Sequence, residues 1–279
     1  AIGLARAAAP AWAATGVEAR AAVLRTAAGL LEQKRDAILA LLAREAGKTL
    51  PDAVAELREA VDFLAYYAAQ ALGHEPVAPL GVVAAISPWN FPLAIFTGQI
   101  AAALAMGNAV LAKPAPQTPL IAQLAAGTLI EAGLPAGALQ LLPGGAETGA
   151  ALTGDGRLDG VVFTGSLPTA RRIERAMAAN LPPDAPLIAE TGGVNAMIVD
   201  STALTEQAVR DILASAFQSA GQRCSALRLL YVQEEAAERT LTMLKGAMDE
   251  LAIGDPWAAS TDIGPVIDGE ARRRILAHV

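Results

Sequence analysis

The sequence contains one cysteine, Cys224, and two histidines, His74 and His278, among 279 residues. A single cysteine excludes an internal disulfide and a zinc site built from several cysteines. The two histidines lie too far apart in the sequence to resemble a pair of metal ligands, so we expect no metal site. The shortage of cysteine fits a reducing compartment, and we therefore expect a cytoplasmic protein.

Basic residues are also fewer than acidic residues. There are 21 Lys and Arg residues against 28 Asp and Glu residues, which gives a net charge of −7. A general nucleic-acid binder needs a basic face, so this balance argues against nucleic acid as a partner of this segment. We expect a small molecule instead.

Long apolar runs without interruption are missing as well. The most apolar stretch, residues 91–112, contains Gln99 and Asn108 and is punctuated by Gly and Pro. A membrane helix needs about 20 mostly apolar residues, so a buried helix followed by a buried strand explains this stretch better. The N-terminus lacks the compact apolar core of a signal peptide. The absence of an initiating Met and the end at "RRRILAHV" indicate a fragment.

Hydrophobic residues make up 53% of the chain and charged residues 18%, which is enough for a substantial core. The N-terminal part predicts helices, because apolar residues recur with helical spacing from Val23 to Leu42. The letters "TLPD" predict a further helix, with Thr49 as its cap and Pro51 just inside it. We expect Val54, Leu57, Val61, Leu64 and Ala68 on its apolar face and Glu56, Arg58, Glu59 and Asp62 on its solvated side.

From Pro79 onward, short apolar runs alternate with segments of helical length, including 121–132 and 169–180. Continuous apolar strands separated by helices predict an α/β fold with a parallel sheet covered on both faces. The strongest turn cluster is "NLPPDAP" at 180–186. The expected strands are 81–86, 108–112, 139–142, 160–164, 186–190, 196–199 and 227–232.

Ligands bind at strand-to-helix turns in such sheets. In "FTGS", Gly165 and Ser166 would offer backbone N–H groups to a phosphate at a helix N-terminus, although this is not the usual glycine-rich pattern. In "LAKPAP", a strand ends at Lys113. By itself such a lysine is typical of a solvated surface charge.

Cys224 lies in "AFQSAGQRCSA", among Gln222, Arg223 and Ser225 rather than among apolar neighbours. Two interpretations are open for this stretch. An incidental cysteine at the end of a helix is favoured by the local sequence alone, and a nucleophile is the alternative.

Five motifs taken in order resemble the signature of the aldehyde dehydrogenase superfamily: "SPWNFP" (87–92), "KP" (113–114), "FTGS" (163–166), "ETGG" (190–193) and "GQRC" (221–224). The resemblance covers nearly the whole chain. It implies N-terminal helices and a Rossmann-type NAD-binding domain over 1–190, followed over 191–279 by the first part of an α/β catalytic domain. The later motif "E-x-F-G-P" of the family does not occur, so the resemblance also implies a truncated catalytic domain.

Longer stretches, such as "NAMIVDS" and "SAGQRCSALR", are similar to the branch that oxidises L-glutamate 5-semialdehyde to L-glutamate, the second step of proline degradation. The chain departs from that branch at Pro116, where an acid is usual, and at Val194, where Gln is usual. The similarity implies NAD as cofactor. It also implies a homo-oligomer or a bifunctional chain that includes proline dehydrogenase. Another semialdehyde as substrate, a CoA-acylating relative and an inactive truncated fragment or binding module remain as alternatives.

The resemblance implies roles for three catalytic residues. Cys224 would attack the aldehyde, Asn90 would donate its side-chain amide to the oxyanion together with the Cys224 backbone N–H, and Glu190 would activate water as general base. Because Glu190 ends an apolar strand, we expect it to be partly buried. Taken alone, Asn90 is typical of a turn and Glu190 of a solvated strand end.

The resemblance also implies binding residues. Lys113 would bind the adenosine ribose, Gly165 and Ser166 the pyrophosphate, and Ser225 the substrate carboxylate. Phe91 would line the aliphatic part of the substrate, for which core packing is the alternative. The segment expected along the nicotinamide half consists of Ile86, Ser87, Pro88 and Trp89.

Overall fold

The structure, a computed structural model, describes residues 1–74 and 77–279. The contacts of these residues divide the chain into two units. The first unit comprises 1–46 and 53–191, and the second comprises 47–52 and 192–279. The expected domains 1–190 and 191–279 stay a prediction, but this division by contacts falls within one residue of their boundary.

The first unit is built around a five-stranded parallel sheet with the strand order β3-β2-β1-β4-β5. Every strand expected before residue 191 is present, with ends shifted by at most one residue. The predicted α/β fold with a parallel sheet is therefore confirmed. The strands are β1 (Val82–Ile86), β2 (Ala109–Lys113), β3 (Leu139–Leu141), β4 (Gly160–Gly165) and β5 (Leu187–Thr191).

Helices precede the sheet and connect its strands. The apolar stretch 91–112 forms a buried helix followed by a buried strand, as predicted. A short 3₁₀ helix, Ala136–Ala138, leads into β3. The α-helices of the first unit are α1 (Ile2–Ala14), α2 (Val17–Gln33), α3 (Arg35–Ala46), α4 (Leu50–Gly73, whose first three residues group with the second unit), α5 (Ala94–Ala105), α6 (Pro119–Glu131), α7 (Ala146–Thr153) and α8 (Leu167–Asn180).

All five residues of β1 are buried, and alternate residues face opposite sides of the sheet. Val83 and Ala85 belong to an apolar cluster with residues of α2 to α6. Val82 and Ala84 belong to a second cluster with residues of α1, α7 and α8. The sheet is therefore covered by helices on both faces, which explains why β1 and β2 read as continuous apolar runs.

The second unit contains a two-stranded parallel sheet and three helices. Its core is small and centres on Val199, Ile212 and Leu227. No helix within residues 1–74 and 77–279 is both long and apolar enough to cross a membrane. The elements are β6 (Asn195–Val199), α9 (Thr205–Phe217), a 3₁₀ turn (Gln218–Gly221), β7 (Leu227–Val232), α10 (Glu234–Asp249) and α11 (Gly269–His278).

Leu111 tests the importance of the double-sided core, because it is fully buried in the centre of β2. We expect Leu111→Ala to destabilise the fold by about 2–5 kcal/mol, through lost burial and the cavity it leaves. Leu120→Ala is the matched control, since Leu120 lies in the first turn of α6 and is 54% exposed. The midpoint of urea unfolding, followed by tryptophan fluorescence, should fall for the first variant and stay nearly unchanged for the second. Equal shifts for the two variants would contradict this account of the core.

Candidate active site

The carboxyl ends of the central strands lie together along one boundary of the first unit's sheet, its carboxyl-terminal edge. In the register of the sheet, Ile86 at the end of β1 is opposite Lys113 of β2 and Phe163 of β4. Glu190 of β5 is opposite Thr164 of β4. The sheet therefore brings the predicted cofactor-binding residues and Glu190 to a single edge, which is where ligands bind in parallel α/β sheets.

The segment after β1 is tied to this edge by its backbone. The Ser87 N–H donates to the carbonyl of Lys113 at 3.1 Å. The side chain of Ser87 is buried, and its Oγ has no hydrogen-bond partner among the described residues. Pro88, Trp89 and Asn90 follow in half-buried positions. An unpartnered buried hydroxyl at a ligand-binding edge is a group that a bound molecule could satisfy.

Phe91 is half-buried and packs against the apolar cluster that lies under α2 to α6. This contact supports the alternative of core packing for Phe91. It does not test the predicted contact with substrate, which stays a prediction.

Glu56 is the main correction to the sequence-based expectations for this region. It was expected on the solvated side of its helix, but only 1% of it is exposed. Its Oε1 accepts hydrogen bonds from the backbone N–H of Leu93 at 2.9 Å and of Ala94 at 3.3 Å. The carboxylate thus binds the first amides of α5, directly after the segment that carries Asn90, where a negative charge also complements the helix dipole.

The same helix holds a smaller correction. Val54 was expected on the apolar face of α4, yet it is exposed. Leu57, Leu64 and Ala68 are buried as predicted, while Arg58, Glu59 and Asp62 are exposed.

Lys113 is buried rather than solvated. Its Nζ donates to the carbonyl of Pro114 at 2.9 Å, and its aliphatic stem lies beside Gly149 of α7. Burial lowers the pKa of Lys113 because it penalises the charged form, and the negative charge of Glu147 partly offsets this effect. A buried ammonium group carries an energetic cost that a bound polar ligand would reduce.

Gly165 and Ser166 join β4 to α8. Ser166 is the N-cap residue of α8, and its hydroxyl donates to Thr169 Oγ1 at 2.9 Å. A side chain at position 165 would place its Cβ 2.6 Å from the ring of Phe163, so only glycine fits there without a shift of the ring. The turn therefore keeps the backbone bare at the N-terminus of a 14-residue helix, an arrangement that suits an anion.

Glu190 is exposed, which makes the expectation of partial burial wrong. The reason is that three consecutive residues of β5, Ile188, Ala189 and Glu190, are all exposed. An apolar sequence was therefore a poor guide to burial at this strand, because β5 is the last strand on its side of the sheet.

Cys224 and Ser225 belong to the second unit, and both are exposed. They lie in the loop between the 3₁₀ turn and β7. The side-chain amide of Asn195, the first residue of β6, donates to the carbonyl of Cys224 at 2.7 Å and to that of Ala226 at 2.9 Å. The thiol is thus accessible while the backbone on its C-terminal side is anchored.

Sequence reasoning missed Asn195 as well as Glu56. Asn195 follows "ETGGV" directly, and an amide next to a turn is typical of many loops. Its partners lie 29 and 31 residues further along the chain, so no local signal could have identified them.

Comparisons with known proteins identify relatives of this chain. A model described as aldehyde dehydrogenase family matches residues 1–279. Among curated proteins, the bifunctional protein PutA of Klebsiella aerogenes is 61% identical over 97% of this chain, and 1-pyrroline-5-carboxylate dehydrogenase of a Geobacillus species is 40% identical over 96%. The chain spans about a fifth of the length of the first and about half of the second, 21% and 56%.

Solved structures give the same result. A bifunctional proline utilization A (PutA) protein matches with a TM-score of 0.96 and 54% identity, over 99% of this chain and 30% of its own. A 1-pyrroline-5-carboxylate dehydrogenase from Thermus, described with bound NAD, matches with a TM-score of 0.93 and 35% identity, over 99% of this chain and 57% of its own.

The contacts of Glu56 generate a prediction. We expect Glu56→Gln to raise the hydrogen-exchange rate of the amides at the start of α5 by about fivefold, as expected for a loss of about 1 kcal/mol when a charged acceptor becomes neutral. Asp62→Asn, at an exposed position of the same helix, is the control and should leave this rate unchanged. Exchange measured by mass spectrometry on a peptide that begins at least three residues before Leu93 and includes Ala94 provides the readout. An unchanged rate in Glu56→Gln would show that the carboxylate does not hold α5.

Proposed function

The chain belongs to the aldehyde dehydrogenase family, and on this basis we propose that the complete protein oxidises an aldehyde to a carboxylate with Cys224 as the nucleophile. Here the complete protein includes whatever chain lies outside residues 1–279. The observation that carries the proposal is the exposure of the one thiol of the chain in a loop whose backbone is anchored by Asn195.

We propose L-glutamate 5-semialdehyde as the substrate and L-glutamate as the product. The support is the 61% identity to a protein named PutA and the 40% identity to one named 1-pyrroline-5-carboxylate dehydrogenase. Ser225 would donate a hydrogen bond to the substrate carboxylate and Phe91 would flank its aliphatic chain. Another semialdehyde is the alternative, since neither residue by itself distinguishes between them.

The cofactor is proposed to be NAD, which the Thermus relative is described as binding. The residues present fit such a group, because the edge of the sheet offers the unpartnered Ser87 hydroxyl, the buried Lys113 ammonium and the bare turn at Gly165. Lys113 would bind the adenosine ribose, Gly165 and Ser166 the pyrophosphate, and 86–89 would line the nicotinamide half. When bound, the nicotinamide would accept a hydride.

The chemistry at Cys224 begins with attack of its thiolate on the aldehyde carbon. A carbon–sulfur bond forms, the carbonyl π bond breaks, and its electron pair moves to the oxygen. The Asn90 side chain and the Cys224 backbone N–H would donate hydrogen bonds to that oxyanion, and one such donor typically contributes about 3 kcal/mol. Loss of hydride from the same carbon leaves a thioester on Sγ.

Glu190 would complete the reaction. Its carboxylate takes a proton from water, the resulting hydroxide attacks the thioester carbon, and the carbon–sulfur bond breaks to release the acid and the Cys224 thiolate. The support for this role is the place of Glu190 in "ETGG" near the carboxyl end of β5. A CoA-acylating enzyme would release the acyl group to a thiol instead and would not need this base.

Cys224→Ala in the complete protein tests the nucleophile. We expect aldehyde oxidation to fall by more than about 100-fold, because no covalent adduct can form, while the dissociation constant of NAD stays nearly unchanged. The rates of NADH formation with glutamate 5-semialdehyde and with propionaldehyde give the readout, and the wild-type protein should prefer the former. A variant that retains a tenth of the wild-type rate would overturn the role of Cys224, and a wild-type preference for propionaldehyde would overturn the substrate.

Glu190→Gln tests the general base. We expect steady-state turnover to fall by about 100-fold, because the thioester is no longer hydrolysed quickly. NADH formation in a single turnover should be nearly normal, because hydride transfer precedes the step that needs the base. Glu174→Gln, at an exposed position of α8, is the matched control and should turn over normally. If single-turnover NADH formation slowed as much as steady-state turnover, Glu190 would have another role.

A further inference from the structure

Two consecutive residues before Cys224 adopt a backbone conformation that is unfavourable for residues with a side chain. Ser219 has φ 55° and ψ 35°, and Ala220 has φ 56° and ψ 32°. They are the only residues other than glycine with positive φ among the described part of the chain. Because a Cβ crowds the backbone in this left-handed region, such residues persist only where their surroundings hold them.

The first of these two residues, Ser219, is held by the side chain of Asp52, which is buried and belongs to the same unit. One carboxylate oxygen, Oδ2, accepts from the backbone N–H of Ser219 at 3.1 Å and from its hydroxyl at 3.2 Å. The other, Oδ1, accepts from the side-chain amide of Gln218 at 2.7 Å. Hydrogen bonds to a charged acceptor are stronger than those between neutral groups, so these three contacts can offset an unfavourable backbone conformation.

The contacts continue from Asp52 to the residue beside the thiol. Gln218 donates to Asp52 through its amide nitrogen, and its Oε1 accepts from Nη1 of Arg223 at 2.5 Å. The carbonyl of Ser219 accepts from the backbone N–H of Gln222 at 3.1 Å. The start of the segment between α9 and Cys224, namely Gln218 and Ser219, is therefore held by one carboxylate, while Gly221 and Gln222 have further contacts with Arg228 and with the backbone N–H of Ile267.

We propose that Asp52 is a positioning residue that fixes the conformation of the loop 218–224 and thereby the direction in which the Cys224 thiol is presented. The inference rests on the proposed role of Cys224 as nucleophile. Asp52 itself touches neither the thiol nor any reacting atom. It acts through Gln218, Ser219 and Arg223, and the loss of its charge would release the loop to conformations that Ser219 and Ala220 prefer.

Asp52→Asn in the complete protein tests the proposal in a single turnover, with enzyme in excess over aldehyde and NAD saturating. The variant keeps the shape of the side chain and loses its charge. We expect the rate constant of NADH formation to fall by at least about tenfold, which corresponds to about 1.4 kcal/mol. The limiting aldehyde sets the amplitude, so the rate constant is the readout, taken at enzyme concentrations high enough that it no longer rises. The dissociation constant of NAD should also be unchanged, because the expected NAD-binding residues all lie in the first unit.

This design separates positioning from a merely structural role. A variant that only misfolds loses active molecules, so more total protein is needed to reach the plateau, while the plateau rate constant stays at the wild-type value. A plateau rate constant at the wild-type value would overturn the proposal. Asp62→Asn is the control on the same helix and should behave like the wild-type protein.

A second substitution provides a rescue. Glycine adopts positive φ without the crowding of a Cβ, so Ala220→Gly should restore at least part of the lost rate constant when it is combined with Asp52→Asn. Failure of the rescue would show that Asp52 acts through something other than the backbone conformation of the loop. If Asp52→Asn does not fold, Gln218→Leu removes the contact between Asp52 and Arg223 and should lower the same rate constant, and a normal value would overturn the proposal.

One further measurement tests whether Asp52 fixes the loop, and its result does not depend on the proposed role of Cys224. Hydrogen exchange of a peptide that spans residues 211–223, produced with an acid protease under quench conditions, reports the loop directly. Faster exchange in Asp52→Asn supports the structural step of the proposal even if Cys224→Ala retains turnover. Unchanged exchange contradicts that step even if Cys224 is the nucleophile.

Discussion

The hydrogen bonding of β1 on both of its edges is the constraint on which the rest of the first unit depends. Val82–Ile86 pair in parallel with β2 on one side and with β4 on the other, and all five residues are buried. A strand that is covered by helices on both faces is apolar on both faces, and here β1 runs parallel to both of its neighbours. As a result, the carboxyl ends of β1, β2, β4 and β5 lie at the same, carboxyl-terminal edge of the sheet. The candidate site residues of the first unit, such as Ser87, Lys113 and Glu190, lie at or just after these strand ends.

Where regular structure starts or stops, buried or half-buried carboxylates replace the missing backbone partners. Glu56 accepts from the first amides of α5, Asp159 accepts from the N–H of Val82 at 2.7 Å, and Asp52 accepts from Ser219. A buried N–H without a partner is costly, so each acid stabilises a segment that could not otherwise leave its helix or strand at that point. These three acids thus bind backbone N–H groups that lack a partner within a helix or strand.

The strands and the family were predictable because both depend on local sequence. Continuous apolar runs marked the strands to within a residue or two, and "FTGS" and "LAKP" marked where they end. The side of a helix on which an acid lies was less predictable. Glu56 and Asp62 share the same helix and both look like surface residues, but only Glu56 meets unpaired amides, and those belong to residues 37 and 38 positions away.

The same limit applies to the candidate site. The motif identified Cys224, but nothing near it in the sequence indicated Asn195 or Asp52. The apolar residues before Glu190 suggested that it is buried, yet β5 is the outermost strand of the sheet and Glu190 is exposed. The roles of the site residues remain proposals, whereas their placement at strand ends and in one exposed loop follows from the fold.

The contact between Asp52 and Ser219 joins residues that are 167 positions apart in the chain. During synthesis the carboxylate leaves the ribosome long before the loop that it holds, and contacts of such large sequence separation form late because much of the chain must already be ordered. The left-handed backbone at Ser219 and Ala220 would therefore be acquired near the end of folding. A nascent or partly folded chain would carry its thiol on a segment without a fixed conformation, and the loop would become fixed only after residues 52 and 219 can fold together.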